Sequence, residues 1–222
     1  MGVEPLPLDD TIRDALAGVS TATLTTVLLK KGLRNVWLRG TRPLAPGQPR
    51  LAGRAFTLRF VPAREDLATP ASWGAPISTR AAIEAMPAGC IAVAGAMRVA
   101  DAGIFGDILC ARMKQRGVSG LVTDGVVRDV AGVLGTGLPV WCQGVAAPPS
   151  VAVFPNDVIV VDQDGAVLIP SALLEAVLPE AVEQERLEGW IMSRVEAGDA
   201  LPGLYPPNED NQARYRAWSK GG

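Results

Sequence analysis

The feature of this 222-residue sequence that most constrains its fold is an alternation of strand-like and helical segments in the middle of the chain. Apolar runs of strand length begin at Cys90, Val118 and Leu138. Between the first two runs, residues 107–116 have a helical pattern that a glycine ends. Further strand-like segments flank this region: residues 53–61 on one side, and on the other residues 157–170, which predict a hairpin with its turn at residues 163–165. The alternation predicts an α/β protein with a mixed sheet.

Helical segments are also predicted towards both ends of the chain. Ser20 is a suitable N-cap for a helix that Gly32 ends, and residues 9–16 form an earlier helical segment. The longest helical pattern covers residues 172–197, and we expect an interruption at Pro179. There is no internal repeat and no low-complexity linker, so a single domain is the simplest organisation.

Charge and residue usage exclude several classes of function. Lys and Arg total 21 against 23 Asp and Glu, so the net charge is -2 and nothing favours a nucleic-acid partner. No apolar run approaches the ~18 residues of a membrane-spanning helix, and the first ten residues lack the pattern of a secretory signal. Cys90, Cys110 and Cys142 lie far apart in apolar stretches, which predicts buried thiols and a cytoplasmic protein.

The absence of histidine removes further mechanisms. A Ser-His-Asp triad, a Cys-His pair and a histidine-ligated zinc are all excluded, so acid–base chemistry must come from other groups or water. A Schiff-base mechanism needs a desolvated lysine. The lysines lie on polar helix positions or in the tail, which argues against that mechanism: Lys30, Lys31, Lys114 and Lys220.

Candidate site residues concentrate between residues 103 and 129. Gly106-Asp107 precedes a predicted helix, whose first amides are free to bind an anion. Asp124-Gly125 follows an apolar strand, and sites in α/β folds form at such strand ends. Arg128-Asp129 then places a cation beside a carboxylate. The set has the chemistry to bind a carboxylate substrate through the arginine and Mg²⁺ or Mn²⁺ through the aspartates.

Each of these residues also has a purely structural interpretation. Asp107 is a suitable helix cap, Asp124-Gly125 a suitable turn, and Arg128-Asp129 a suitable exposed ion pair. Composition and spacing alone leave both interpretations open.

The stretch from Gly106 to Asp129 resembles a family signature. Its pattern is G-D-x-L, then a helix, then G-x-x-G-x-V-x-D-G-x-x-R-D, and it is similar to that of the RraA-like family. That family contains the metal-dependent 4-hydroxy-4-methyl-2-oxoglutarate aldolases and the protein regulator of ribonuclease E. Residues 53–57 and 154–162 add to the similarity, which covers roughly the whole chain.

The resemblance implies a three-layer β/β/α swivelling-domain fold with a mixed sheet, formed by one domain over residues 1–222. The domain would have N-terminal helices, and a C-terminal helix plus tail that pack on a neighbouring subunit. The implied assembly is a homo-oligomer, either a trimer or a dimer of trimers. The active site would then lie in a cleft between neighbouring subunits.

The resemblance also implies roles for individual residues. Asp129 would bind the divalent metal directly, and Asp107 would bind it through water. Arg128 would contact the keto and enolate oxygens of a pyruvate-like unit. The start of the helix would receive the substrate carboxylate, at Gly106, Ile108 and Leu109.

In characterised members of the family, a glutamate from the neighbouring subunit's C-terminal helix completes the metal site. Glu183, Glu185 and Glu188 are the candidates in this sequence. Of the three, we favour Glu185.

The activity implied is that of a divalent-metal-dependent aldolase. It would cleave a 4-hydroxy-2-oxo acid, such as 4-hydroxy-4-methyl-2-oxoglutarate, and release pyruvate. Oxaloacetate decarboxylation passes through the same enolate and is an expected side activity. The alternative is a non-catalytic regulator that binds a ribonuclease. A methyltransferase is disfavoured, because no glycine-rich nucleotide loop follows the first strand.

One departure from the family pattern lies between Ser150 and Val151, where a strand-sized segment of related sequences is absent. Either this chain carries a deletion, or its sequence closes over a segment of the natural protein. We favour the second explanation, because losing a sheet element would cost much of a marginal stability. An intact mass of 23.2 kDa would exclude it.

Overall fold

A computed structural model of the chain describes residues 8–61, 69–146, 158–161, 166–169 and 173–220. The strands within these ranges are β1 (Arg42–Pro43), β2 (Ala55–Arg59), β3 (Ile91–Gly95), β4 (Gly103–Phe105), β5 (Gly120–Thr123), β6 (Val126–Val127), β7 (Val140–Cys142), β8 (Gly144–Val145), β9 (Val158–Val161) and β10 (Ala166–Ile169). The α-helices are α1 (Asp10–Gly18), α2 (Thr21–Lys30), α3 (Thr79–Glu84), α4 (Asp107–Gln115), α5 (Val130–Gly135), α6 (Leu174–Glu196) and α7 (Glu209–Lys220).

The largest sheet has five strands in the order β1-β7-β5-β3-β2. Strands β2, β3, β5 and β7 are parallel to their neighbours, whereas β1 is antiparallel to β7. The parallel strands are connected through segments that contain α3, α4 and α5. The prediction of an α/β fold with a mixed sheet is therefore confirmed.

A second, smaller sheet has the order β4-β6-β8, and all of its strands are parallel. Gly103 pairs with Val126, and Phe105 pairs with Val127. The sequence does not indicate these strands, because two or three residues are too few to show an alternating pattern. Their pairing nevertheless brings the candidate site residues together.

A two-stranded antiparallel pair, β9 and β10, confirms the predicted hairpin. Val158 pairs with Ile169 at its open end. The turn predicted at residues 163–165 lies outside the described residues. So does the junction of Ser150 and Val151, where the sequence departs from the family pattern.

The hydrophobic core joins the large sheet to the helices and to the C-terminal tail. Fully buried side chains come from α3 (Ile83), α4 (Met113), β5 (Leu121), α6 (Ile191) and the tail (Leu201). All three cysteines are buried and reduced, as predicted. In the parts of the chain that the structure describes, none of the helices combines the length and apolarity needed to cross a bilayer.

Local capping signals predicted the helices on the N-terminal side well. The Ser20 hydroxyl accepts a hydrogen bond from the Thr23 amide at 3.1 Å, and Gly32 follows the helix with φ of +86°. This positive φ is a conformation that glycine adopts without steric cost. Asp9 caps α1 in the same way, accepting from the amides of Thr11 and Ile12.

The predicted interruption at Pro179 is wrong, because α6 continues through it. A proline removes one backbone hydrogen bond, and the helix has 23 residues over which the remaining bonds persist. Trp190, Ile191 and Val195 bury the C-terminal half of α6 in the core, which stabilises the helix through packing.

The C-terminal tail contains a helix that the sequence analysis missed, α7. Its Tyr215 is buried, and its ring centroid lies 5.7 Å from that of Trp190 on α6. Leu201 and Leu204 of the tail are also buried within the chain's own core. The tail is thus anchored to its own chain, and any contact with a neighbouring subunit stays a prediction.

Candidate active site

Parallel pairing of β4 with β6 brings the two halves of the sequence signature together. Both strands end at the same edge of the small sheet, and the Arg128 amide donates to the Phe105 carbonyl at 3.1 Å. Gly106-Asp107 follows β4, and Arg128-Asp129 follows β6. Residues separated by about twenty positions therefore lie side by side.

The backbone at Asp129 turns sharply at the start of α5. Its φ is +56° and its ψ +45°, in the left-handed region that aspartate tolerates better than most residues. Its carbonyl accepts from the Val133 amide at 2.8 Å, but its carboxylate does not cap the helix. That carboxylate lies 3.5 Å from the Arg128 Nε, and both side chains are 44% exposed. A cation and a carboxylate thus stand together at a surface that a ligand can reach.

Two glycines allow the acidic side chains to approach the helices. A Cβ on Gly106 would overlap an oxygen of the Asp129 carboxylate. A Cβ on Gly132 would come within 2.6 Å of both Cβ and Oδ2 of Asp107. Gly132 was not identified from the sequence, although a glycine inside a helix carries an entropic cost and is a signal of close approach.

Asp107 is half-buried at the first turn of α4. Burial raises the pKa of its carboxyl group, and the charges of Glu188 and Glu185 raise that pKa further. A hydrogen bond from the Ile108 amide, at 2.6 Å, and the charge of Arg128 act in the opposite direction. Asp107 thus has a higher proton affinity than an ordinary aspartate.

The start of α4 is only partly open to a substrate carboxylate. The Ile108 amide donates to Asp107, while the Ile108 and Leu109 side chains are buried in the core. A ligand anion would therefore replace Asp107 as the acceptor of the Ile108 amide. The assignment of substrate binding to Gly106, Ile108 and Leu109 stays a prediction.

The three candidate glutamates on α6 have different surroundings. Glu183 accepts a hydrogen bond from the Tyr215 hydroxyl at 2.8 Å and so anchors α7. Glu188 is half-buried, accepts from Gln184 at 2.7 Å and raises the pKa of Asp107 more than Glu185 does. One chain thus brings its own Glu188 and Glu185 towards the site. The assignment of Glu185 from a neighbouring subunit stays a prediction.

The chemistry of this donor set fits a divalent cation. Carboxylate oxygens are the ligands that Mg²⁺ and Mn²⁺ prefer, and the repulsion that raises the pKa of Asp107 is one that a bound cation would relieve. Among the described residues, no three His, Cys, Asp or Glu side chains form a ready-made metal cage. Mg²⁺ is commonly held by one or two carboxylates with several waters, and the carboxylates of Asp129 and Asp107 are ligands of that type.

The end of β5 does not carry a site residue. The Asp124 carboxylate accepts a hydrogen bond from the Ala96 amide, and Gly125 packs closely against the Ala96 methyl group. Asp124-Gly125 is therefore a structural turn that ties β5 to β3. The candidate site residues Arg128 and Asp129 follow one strand later, at the end of β6.

Two residues outside the signature, Arg80 and Tyr205, form a further polar group that the sequence analysis missed. The Arg80 Cζ lies 4.6 Å from the centroid of the Tyr205 ring. Burial raises the pKa of the Tyr205 hydroxyl, and so does Glu188, whereas Arg128 lowers it. The hydroxyl is thus in electrostatic reach of the signature residues. No local pattern connects positions so distant in the sequence.

Comparison with protein families gives one match over most of the chain. A family model described as RraA-like, Aldolase/RraA, matches residues 11–168. A solved structure of Streptomyces coelicolor RraAS2 is 30% identical and has a TM-score of 0.53, with 84% of this chain and 98% of that chain covered. It is described as an unusual member of the RNase ES inhibitor RraA protein family.

Two curated proteins are also similar. Protein DlpA of Legionella pneumophila is 26% identical over 181 residues, which are 74% of this chain and 28% of that protein. A protein of Halalkalibacterium halodurans, named "Putative 4-hydroxy-4-methyl-2-oxoglutarate aldolase", is 30% identical over 122 residues, or 48% of this chain and 58% of that protein. The matched part is less than two thirds of the length of either relative.

Proposed function

Because this chain belongs to the RraA-like family, we propose that it is a divalent-metal-dependent lyase acting on a 4-hydroxy-2-oxo acid. The substrate would be a compound such as 4-hydroxy-4-methyl-2-oxoglutarate, and the product pyruvate. Oxaloacetate decarboxylation would be a side activity. The observation that carries the proposal is the meeting of Asp107, Arg128 and Asp129 at the parallel ends of β4 and β6.

The reaction breaks the C3–C4 bond of the substrate. The C4 hydroxyl gives up its proton, the electrons of the C3–C4 bond pass to the C2 carbonyl, and the resulting pyruvate enolate takes a proton at C3. Asp107, half-buried at the first turn of α4, is the carboxylate suited to accept the hydroxyl proton, directly or through water. Arg128 is the fixed cation suited to bind the enolate and carboxylate oxygens.

Asp129 would hold a divalent cation directly, with Asp107 acting through water and a glutamate of α6 completing the site. The cation would supply Lewis-acid stabilisation of the charge that develops on the enolate oxygen. The approach of Asp129 to the start of α4, which Gly106 permits, supports this assignment.

The first experiment is an assay of pyruvate release from 4-hydroxy-4-methyl-2-oxoglutarate and from oxaloacetate. It compares added Mg²⁺, added chelator, the Asp129→Asn variant and a charge-matched control, Asp210→Asn, on the exposed face of α7. We expect chelator and Asp129→Asn each to reduce release by about 100-fold or more, and Asp210→Asn to leave it unchanged.

A wild-type protein that releases no pyruvate from either compound would overturn the lyase assignment. The second candidate function, a regulator that binds a ribonuclease, is favoured by the similarity to RraAS2 over 98% of that chain. It would then be tested by adding the purified protein to a ribonuclease of the RNase E type. Inhibition that survives Asp129→Asn would identify a binding protein whose action does not use the carboxylate cluster.

A further inference from the structure

Charge is distributed unevenly along this chain, although its net charge is only -2. Residues 15–64 contain no aspartate or glutamate, and their charged side chains are all lysines and arginines. Residues 174–185, the N-terminal half of α6, contain four glutamates and neither lysine nor arginine. Charges of opposite sign are therefore concentrated in two separate elements of the fold.

The positive charge lies beside exposed apolar side chains at the end of α2. Arg34 lines one groove together with Leu29, Leu33 and Trp37, and each of these side chains is exposed. Within the part of the chain that the structure describes, no carboxylate forms an ion pair with Lys30, Lys31 or Arg34. We call the following residues the basic surface: Leu29, Lys30, Lys31, Leu33, Arg34 and Trp37.

The negative charge also lies beside exposed apolar side chains. Glu175, Leu178 and Val182 are spaced by three and four residues, so they share one stripe of α6. Leu178 is 57% exposed and Val182 is 61% exposed. Glu180 lies on the flank of this stripe and adds to the same field, because charges act over about 10 Å at moderate ionic strength. We call Glu175, Leu178, Glu180 and Val182 the acidic surface.

The two surfaces are complementary to each other, and neither is complementary to itself. Contact between two basic surfaces would bring lysines and arginines together, and contact between two acidic surfaces would bring glutamates together. Contact between a basic and an acidic surface instead removes apolar area from water and pairs opposite charges. Both surfaces are exposed in one chain, so this contact requires a second copy.

We propose that the basic surface of one copy binds the acidic surface of a second copy, so that the chain associates with itself through two different surfaces. Such a head-to-tail contact leaves one free surface of each kind at the ends, and association continues until a ring closes. The proposal does not depend on the lyase activity, because neither surface includes Asp107, Arg128 or Asp129.

Sedimentation velocity of the full chain without substrate is the first test. We expect the average mass to rise as the protein concentration increases from about 1 μM to about 100 μM. Raising NaCl from about 0.05 M to about 0.5 M should raise the dissociation constant about tenfold, because salt screens the charged part of the contact. A wild-type chain that stays monomeric over the whole range would overturn the proposal.

Charge reversal with rescue identifies the two surfaces as partners of each other. Lys31→Glu combined with Arg34→Glu changes residues beyond the end of α2, and Glu175→Lys combined with Glu180→Lys changes exposed positions on α6. Each pair of changes should raise the dissociation constant by at least about tenfold. A variant with all four changes has complementary surfaces again and should associate within about threefold of the wild type.

The control for charge reversal is Arg216→Glu, at an exposed position on α7 outside both surfaces, which should leave association unchanged. Circular dichroism of every variant checks that the fold is retained. If the variant with all four changes stays as weak as the two partial variants, the surfaces are not partners and the proposal is wrong.

The apolar part of the contact has its own test. Leu178→Ser should raise the dissociation constant about tenfold and leave the denaturation midpoint of the dilute protein unchanged, because this side chain is exposed in a single chain. Leu134→Ser, at a 43% exposed position on α5, is the matched control and should leave association unchanged. Equal association of the wild type and Leu178→Ser would exclude α6 from the interface.

The other class of partner for a basic surface is a nucleic acid, and a titration with fluorescent single-stranded oligo(U) distinguishes the two. We expect no binding of oligo(U) that Lys31→Glu with Arg34→Glu weakens, because the apolar side chains of this surface suit a protein contact. A wild-type chain that stays monomeric and binds oligo(U) through these residues would overturn the proposal in favour of a nucleic-acid site.

Discussion

The helices α2 and α4 show how differently two well-predicted helices are used in one chain. Capping and stop residues predicted both. Six of the nine residues of α4 are buried, whereas none of the ten residues of α2 is. Leu29 of α2 is 54% exposed and Met113 of α4 is fully buried. Local signals thus determine where a helix begins and ends, but long-range packing determines how much free energy it contributes.

The reason for the difference lies in the neighbours of each helix. α4 follows β4, precedes β5 and packs against α6, so its side chains fill the space between sheet and helix. α1 and α2 precede the first strand, and Leu29 of α2 lines a surface together with Leu33 and Trp37, both more than half exposed. We call α4 and the elements around it, β4, β5 and α6, the packed region. The candidate site is built on this region.

The largest expected effect tests the packed region directly. Met113→Ala removes a fully buried side chain from α4 and leaves a cavity between helix and sheet. We expect the free energy of unfolding to fall by about 3 kcal/mol, measured by chemical denaturation. A loss below about 1 kcal/mol would show that α4 is not packed as the structure describes.

Two glycine-to-alanine variants, one at the candidate site and one at the end of α1, extend the comparison between the packed and the exposed helices. Gly106→Ala places a methyl group where the Asp129 carboxylate lies, and should reduce pyruvate release by about 100-fold, or about 2.7 kcal/mol. The same change at Gly18, at the end of α1, meets no atom within 4 Å and should leave release unchanged. Similar rates for both variants would mean that the site does not depend on this close approach.

The contacts of Glu84 with Arg112 and with the Leu201 amide provide a pH-dependent test of the packed region. Although burial opposes it, the hydrogen bonds from Arg112 and from the Leu201 amide lower the pKa of Glu84. A lowered pKa in the folded state means that Glu84 stabilises the protein above its unfolded pKa, and that this stabilisation is lost as the pH falls through the folded pKa. Glu84→Gln should therefore cost about 2 kcal/mol near neutral pH.

The measurement compares denaturation midpoints of the wild type and Glu84→Gln across the acidic range. The two proteins should converge as the pH falls below the usual glutamate range. A difference that stays constant with pH would show that the charge of Glu84 contributes nothing. Arg214→Gln, which removes an exposed contact to Asp199, is the matched control and should cost less than about 1 kcal/mol.

Much of the fold was predictable because it depends on local signals. A helix boundary often depends on one residue. The hydroxyls of Ser20 and Ser78 cap the starts of helices by accepting hydrogen bonds, and Gly117 supplies the positive φ that follows the end of α4. The continuous passage of α6 through Pro179 was not predictable in this way. The continuity of α6 depends on the core packing of Trp190 and its neighbours, and the sequence around the proline does not indicate that packing.

The candidate site shows the same difference between features that local sequence signals predict and features that depend on long-range contacts. Asp107, Arg128 and Asp129 were predicted, because they lie within one continuous signature and their residue types have a defined chemistry. Arg80 and Tyr205 were not predicted. Their contact joins segments that are far apart in sequence, and no local pattern indicates it.

The smallest expected effect is the most informative about the surface of α2. Leu29 is 54% exposed in a single chain, so Leu29→Ser should lower the free energy of unfolding by less than about 0.5 kcal/mol at low protein concentration. A loss of 2 kcal/mol or more would mean that another surface covers this helix in solution. If that surface belongs to a second copy of the chain, the loss must grow with protein concentration, because association stabilises the folded state by mass action. Denaturation of the wild type and Leu29→Ser is therefore measured at two concentrations a hundredfold apart. The result shows whether α2 is exposed in the protein in solution, or exposed only in a single chain and covered by a second copy.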